Sequence, residues 1–125
     1  MNRRRKPQPK PARIETLTAQ SLGARGDAVS PGPVYAAGLL PGETAKLEIR
    51  GERAQVLERL SDAPERIDPF CPVADRCGGC ALQHFEEAAY RAWKRDLAVA
   101  ALARASVKAD LAELIDAHGA GRRRI

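Results

Sequence analysis

The sequence predicts a mainly β fold: a small closed or nearly closed β-barrel over residues 13–60, and beyond it a helical segment. Two observations predict the barrel. Glycine and proline recur densely between residues 23 and 42, which marks turns between short strands. The stretch AKLEIR, residues 45–50, alternates apolar and charged side chains, as a strand with one buried face does. A third observation, apolar residues at every fourth position within 85–105, predicts one clear helix.

Four or five short strands are expected in the barrel. They cover residues 13–18, 28–30, 34–36, 45–50 and 52–60. The last segment also fits a helix, because Val56, Leu57 and Leu60 share a helical face. We favour a strand, since Gly51 makes a turn directly after the strand before it.

The other segments are irregular or helical. Residues 1–12 are basic and rich in proline, which predicts a disordered or polyproline-II-like arm. Residues 61–84 contain three prolines and two adjacent glycines and are expected to form a loop. After the helix, residues 110–117 have a weaker helical pattern. The sequence then stops without a cap or a turn, so we expect residues 85–125 to begin a second, incomplete domain of a longer polypeptide.

The charge distribution suggests contact with nucleic acid. Six of the 21 basic residues lie within residues 1–13, where there is no acid, whereas the rest of the chain carries 15 basic and 16 acidic residues. Basic side chains neutralise phosphates, so the predicted contacts lie in the arm and on the barrel. They are Arg3, Arg4, Arg5, Lys6 and Lys10 in the arm, and Lys46, Arg50 and Arg53 on the barrel. The alternatives are a solubilising tail and an ordinary solvated strand face.

All three cysteines lie within ten residues, in the spacing Cys71-x5-Cys77-x2-Cys80, and His84 follows. An odd count argues against a disulfide framework, and a reducing cytosol is the default. We expect a metal site rather than unliganded thiols, because Gly78 and Gly79 let the backbone turn and bring sulfurs together. The spacing leaves open an iron–sulfur cluster with a fourth thiol from elsewhere, a zinc site completed by His84, and a redox dithiol.

The stretch CPVADRCGGCALQHF, with Tyr90 and Lys94 on the helix after it, resembles the iron–sulfur loop of the RNA uracil-C5 methyltransferases, and within them the 23S rRNA branch. LPGE at 40–43, followed by TAKLEIR, is similar to the OB-like TRAM barrel of these enzymes, and PERIDPFCP and GRRRI resemble the adjoining links. The resemblance implies a [4Fe–4S] cluster held by Cys71, Cys77 and Cys80, with a fourth cysteine downstream. It also implies S-adenosylmethionine as methyl donor, a catalytic cysteine that attacks uracil C6 and a general base that removes the C5 proton. We assign none of that catalytic machinery to residues 1–125.

We therefore expect the RNA-engaging front part of a cytoplasmic, monomeric RNA methyltransferase, cut before its catalytic domain and inactive alone. Its divisions are an arm (1–12), a TRAM barrel (13–60), an iron–sulfur loop (61–84) and a helical region (85–125). We expect the cluster to have a structural role, and His84 to be a hydrogen-bonding or packing residue at the start of the helix rather than a ligand. The alternative is a stand-alone nucleic-acid-binding module, stabilised by zinc on three cysteines and His84, without catalysis. No apolar run reaches the about 20 residues that span a membrane, and no secretory signal is evident.

Overall fold

The computed structural model describes residues 8–77 and 79–115, which form two compact units divided after Pro64. Arg3, Arg4, Arg5 and Lys6 of the predicted arm lie outside the described residues, as does the end of the predicted second helix. None of the helices in the described part of the chain is long and apolar enough to cross a membrane.

The first unit is a curled sheet of six strands. The strands are β1 Arg13–Thr18, β2 Ser21–Leu22, β3 Ala28–Ser30, β4 Val34–Ala36, β5 Thr44–Arg50 and β6 Arg53–Arg59, hydrogen-bonded in the order β1-β5-β6-β4-β3-β2. Every pairing is antiparallel except that of β4 with β6. The mainly β, OB-like fold is confirmed, and β2 is a strand that the sequence did not predict.

The two outermost strands of the sheet, β1 and β2, follow one another in the chain, with only Ala19 and Gln20 between them. The amide of Ala19 donates to the Glu43 carbonyl at 2.9 Å, and the amide of Gln20 donates to the Val29 carbonyl at 2.8 Å. One bent stretch of chain therefore pairs with β5 on one side and β3 on the other. It makes the sheet curl into a half-barrel.

The interior of the curl is built from alternate residues of the strands. Ala45, Leu47 and Ile49 of β5 are fully buried, while Lys46 and Arg50 are exposed, as the alternating pattern predicts. Small and medium side chains from other elements complete this core: Ala19, Ala28, Val34, Ala36 and Leu39. Because this core contains no aromatic ring, its side chains fill little volume, and the sheet around it can curl tightly.

The ambiguous segment is a strand, as favoured. Ala54 and Val56 of β6 pack against the core. The register passes from Lys46 opposite Glu58 to Leu47 opposite Val56, so Leu57 has no partner and forms a β-bulge. The extra residue explains why Glu58 is out of phase with the alternation of Ala54 and Val56.

The LPGE turn before β5 surrounds a buried acid. Gly42 has φ +90°, a conformation that glycine adopts without strain. The fully buried carboxylate of Glu43 accepts a hydrogen bond from the Leu40 amide at 2.8 Å and another from the Ala63 amide at 3.1 Å. One side chain thus joins the turn to the chain segment that follows β6.

The second unit contains two helices, α1 Ala74–Cys77 and α2 Glu87–Arg104. The α2 helix confirms the predicted helix to within two residues at its start and one at its end. Before it, the segments around Arg66 and Phe85 pair in an antiparallel bridge. The short α1 corrects the prediction that residues 61–84 are wholly irregular.

The predicted helix at 110–117 is wrong over 110–115, which has no regular structure. Side chains of α2 donate hydrogen bonds to the backbone carbonyls of this segment instead. Arg91 donates to the carbonyl of Leu114 at 3.3 Å, and Arg95 donates to those of Leu111 and Ala112 at 3.1 Å each. The weak propensity of a short segment is overridden by these tertiary hydrogen bonds.

Because Glu43 is buried and hydrogen-bonded twice, Glu43→Ala leaves two amides without their acceptor. We expect it to lower the free energy of unfolding by about 3 kcal/mol, and Glu43→Gln, which keeps one acceptor oxygen, to cost less. Urea unfolding of the chain measures both. Glu58→Ala removes the same charge from an exposed position of β6 and is expected to change stability by no more than about 0.5 kcal/mol. Equal losses in the Glu43→Ala and Glu58→Ala variants would contradict the role of Glu43.

Candidate functional site

The cysteine loop is shaped by one short helical turn. The Cys71 carbonyl accepts a hydrogen bond from the Ala74 amide at 3.2 Å, and the Cys77 amide donates to the Val73 carbonyl at 2.8 Å. Cys71 therefore precedes α1 and Cys77 ends it, so the helical turn shortens the path between the first two thiols.

The base of this loop is anchored to a buried segment. The Cys71 amide donates to Gln83 Oε1 at 3.3 Å, and Leu82, Gln83 and His84 are all buried. The carbonyl of His84 in turn accepts from the Ile67 amide at 2.9 Å. A hydrogen-bonded segment on one side thus fixes where the loop starts, while the part around Cys77 is exposed.

The three thiols are free, with Cys71 and Cys80 half-buried and Cys77 exposed. Gly79 lies against the Cys77 sulfur: a Cβ at position 79 would stand 3.2 Å from Sγ, closer than ordinary contact. Glycine at this position lets the backbone approach the thiol. Gly78 lies outside the described residues.

Three free thiols on a glycine-containing loop are a suitable donor set for zinc or an iron–sulfur cluster. Across residues 8–77 and 79–115, however, no three cysteine, histidine or acidic side chains are arranged as a ready ion-binding group. The donors fit such a centre by type, and closing them around it requires the loop to adjust, as it does where metal binding is coupled to folding. His84, the fourth donor of the zinc alternative, is 8% exposed.

The predicted basic residues of the barrel divide into two groups. Arg50 and Arg53 face each other across the β5–β6 hairpin, and Lys10 lies beside the turn, with Nζ 3.4 Å from where a Cβ of Gly51 would stand. Lys46 lies towards the other end of β5, opposite Glu58. The structure therefore brings Lys10, Arg50 and Arg53 together at the hairpin end and leaves Lys46 apart. We call this group of three the hairpin cations.

Two of the hairpin cations have acidic neighbours. Arg50 Nη2 lies 3.6 Å from Glu48 Oε1, and Arg53 Nη1 lies 2.6 Å from Asp27 Oδ2. These side chains remain largely exposed, at 57% for Arg50 and 66% for Arg53. Surface ion pairs of this kind are weak, so both guanidinium groups can still meet a phosphate.

Sequence reasoning missed Arg25 and Tyr35, which share a cleft with Arg53. Arg25 lies in the turn-rich 23–27 segment, where no periodicity indicates direction. Tyr35 could have been found, because it stands between Val34 and Ala36, which alternation places in the core. A half-buried aromatic ring on the outer face of a strand offers a surface on which a base can stack.

Comparison with known proteins finds relatives along most of the chain. An uncharacterized RNA methyltransferase of Brucella suis biovar 1 is 39% identical over 111 residues, covering 86% of this chain and 27% of the relative. One from Caulobacter vibrioides is 34% identical over 116 residues, covering 90% and 28%. The 23S rRNA (uracil(1939)-C(5))-methyltransferase RlmD of Photorhabdus laumondii is 42% identical over 79 residues, covering 57% and 18%.

No family model matches the chain. The matched region is 27% and 28% of the length of the first two of these relatives, so the chain spans little more than a quarter of them. The high coverage of this chain means that the match includes both the barrel and the cysteine loop. By sequence, the chain is related to RNA methyltransferases, among them enzymes named for uracil C5 of 23S rRNA, and it corresponds to only part of the length of these relatives.

Proposed function

We propose that this chain is the RNA-engaging part of an S-adenosylmethionine-dependent RNA (uracil-C5) methyltransferase that acts on ribosomal RNA in the cytoplasm as a monomer. The observation that carries the proposal is the similarity to named RNA methyltransferases over 86% of the chain. Uracil C5 and ribosomal RNA are inferred from the reaction for which the RlmD relatives are named. We assign methyl transfer and S-adenosylmethionine binding to the whole enzyme and to no residue within 1–125.

The barrel is the proposed RNA contact. OB-like barrels bind oligonucleotides with the loops at one end of the curl, and the hairpin cations gather at such a turn, around Gly51. Three cations within one short hairpin region give sequence-independent affinity for the phosphate backbone. The arm residues Arg3, Arg4, Arg5 and Lys6 are proposed to add to this contact.

The cysteine loop is the proposed cluster site. Cys71, Cys77 and Cys80 would hold a [4Fe–4S] cluster, with a fourth thiol from outside residues 1–125, as the family resemblance implies. When bound, the cluster supplies cross-links between segments of chain. The residues of this chain keep the loop positioned, since Gln83 holds the Cys71 amide and Gly79 leaves room beside the Cys77 sulfur.

A zinc-stabilised nucleic-acid-binding module without catalysis is the second candidate. It is favoured by two facts: four donors lie between residues 71 and 84, and Gln83, the neighbour of His84, is hydrogen-bonded to Cys71. Cys71, Cys77, Cys80 and His84 would then complete a tetrahedral site within this chain.

Anaerobic purification of the full methyltransferase separates the two candidates. We expect a brown protein with broad absorbance near ~400 nm, lost in Cys77→Ser and kept in His84→Ala, because sulfur and not imidazole would bind the iron. Metal analysis and absorbance spectra measure this. A colourless protein that contains zinc and loses it on His84→Ala would favour the binding module.

RNA contact by the barrel is tested by its salt dependence. We expect Arg50→Gln and Arg53→Gln each to weaken binding of single-stranded ribosomal RNA, and to reduce the slope of log affinity against log salt by about 0.7 per lost phosphate contact. Fluorescence anisotropy at several KCl concentrations measures the slope. Lys46→Gln, on the same barrel but away from the hairpin cations, is the matched control. A slope that changes equally in all three variants would contradict a localised contact.

A further inference from the structure

A cleft of about 320 Å³ opens on the barrel between the 23–27 loop and the start of β6. Its walls include Tyr35, Glu52, Arg53 and Arg25. The volume is at the lower end of the range of about 300–1,000 Å³ for small-molecule sites, which suits a single nucleotide better than a longer segment. We propose that this cleft binds one unpaired nucleobase of the RNA, stacked on the Tyr35 ring, with Arg25 against the adjoining phosphate. The proposal rests on the RNA contact proposed above and locates it.

Tyr35 is placed to act as a stacking surface. Its neighbours Val34 and Ala36 are buried, so the pleat of β4 directs Tyr35 to the outer face, where it is half-buried. Gly23 brings only backbone towards the ring, and a Cβ there would lie 4.0 Å from Tyr35 Cε1. A Cβ at position 23 would lie in ordinary contact with the ring, so the loop passes beside Tyr35 without covering it with a side chain. Bases of any identity stack on accessible aromatic rings.

Arg53 is held at the edge of the same surface. It is the parallel-strand partner of Tyr35, and the Tyr35 amide donates to the Glu52 carbonyl at 2.7 Å. The Arg53 guanidinium donates to Asp27 at 2.6 Å, which orients it across the cleft towards the 23–27 loop. Backbone pairing therefore sets Arg53 beside Tyr35, and the ion pair spans the cleft between its two walls.

The mixture of charges identifies the class of ligand. A bare phosphate would meet the carboxylates of Asp27 and Glu52, and an apolar ligand would remove water from Arg25, Glu52 and the Arg53–Asp27 pair without replacing its hydrogen bonds. A nucleobase suits both features, since its N–H groups can donate to a carboxylate and its carbonyls can accept from arginine. Arg25 forms no ion pair with any residue in 8–77 or 79–115, so its charge is available to the phosphate.

The position agrees with the general behaviour of this architecture. OB-like barrels contact oligonucleotides through the loop between their first two strands and the loop between their last two. Since β1 and β2 form one bent strand here, those loops are residues 23–27 and 51–52. The cleft lies between them. A base within a duplex is already stacked and paired, so the site would take single-stranded RNA only.

Nuclear magnetic resonance of the unmodified chain tests the site without any substitution. Uridine 5′-monophosphate is the probe, and ribose 5-phosphate, which lacks the base, is its matched control. We expect the amide signals of Tyr35 and Glu52, beside the proposed stacking surface, to shift with the nucleotide and to stay in place with the sugar phosphate. Equal shifts with both probes, or none with either, would overturn the proposal of a base-binding cleft.

Binding of a single-stranded oligouridylate to variants of the chain provides the second test. Tyr35→Ala is expected to weaken affinity by about fivefold to 150-fold, the range for loss of one stacked base, without changing the salt slope. Tyr35→Phe keeps the ring and should bind as the wild type does. Thermal unfolding of each variant shows whether the barrel is intact.

The two proposals fail differently. If wild type and Tyr35→Ala bind oligouridylate equally, the cleft proposal is overturned while RNA contact through the hairpin cations stands. If the wild type binds no oligouridylate at low salt, the RNA contact fails and the cleft proposal fails with it. Displacement of oligouridylate from the cleft by an RNA duplex would likewise overturn selectivity for unpaired bases.

Discussion

The buried carboxylate of Glu43 is the interaction on which the geometry of the barrel depends. Burial of a charge is costly unless it is hydrogen-bonded, and here two backbone amides meet that requirement. The next residue, Thr44, begins β5, and its carbonyl accepts from the Leu60 amide at 2.8 Å. Its amide donates to Ser61 Oγ at 2.9 Å. Glu43 and Thr44 therefore fix the start of β5 against the end of β6.

That register determines what assembles at the opposite end of the hairpin. With β5 and β6 fixed and the bulge at Leu57 taking up the extra residue, Arg50 comes to face Arg53. The parallel pairing of β4 with β6 then sets Tyr35 beside Arg53. A slip of one residue would turn each of these side chains to the other face of the sheet. The cysteine loop depends on a different anchor, the hydrogen bond from the Cys71 amide to Gln83.

Elements with a clear period could be predicted, and so could the short strands β3 and β4, which lie between glycine and proline turns, whereas β2 and α1 could not. The alternation in β5 and the four-residue spacing in α2 reflect one buried face each, so their type and bounds followed from the residues. By contrast, β2 has two residues and α1 has four, too few for a period to appear. Residues 110–115 had a helical pattern, but Arg91 and Arg95 of α2 hold their carbonyls in another conformation.

For the sites, the sequence by itself determined the donors: three cysteines crowded into a glycine-containing loop, with the family resemblance they carry, and the cations of the arm and barrel. Local spacing is sufficient for this because the cysteines are close in the chain. Only the tertiary structure decided that Lys10, Arg50 and Arg53 meet while Lys46 stands apart, and that Tyr35 and Arg25 share a cleft with Arg53. Residues 10, 25, 35 and 53 are distant in sequence, and only the register of the curled sheet brings such positions together.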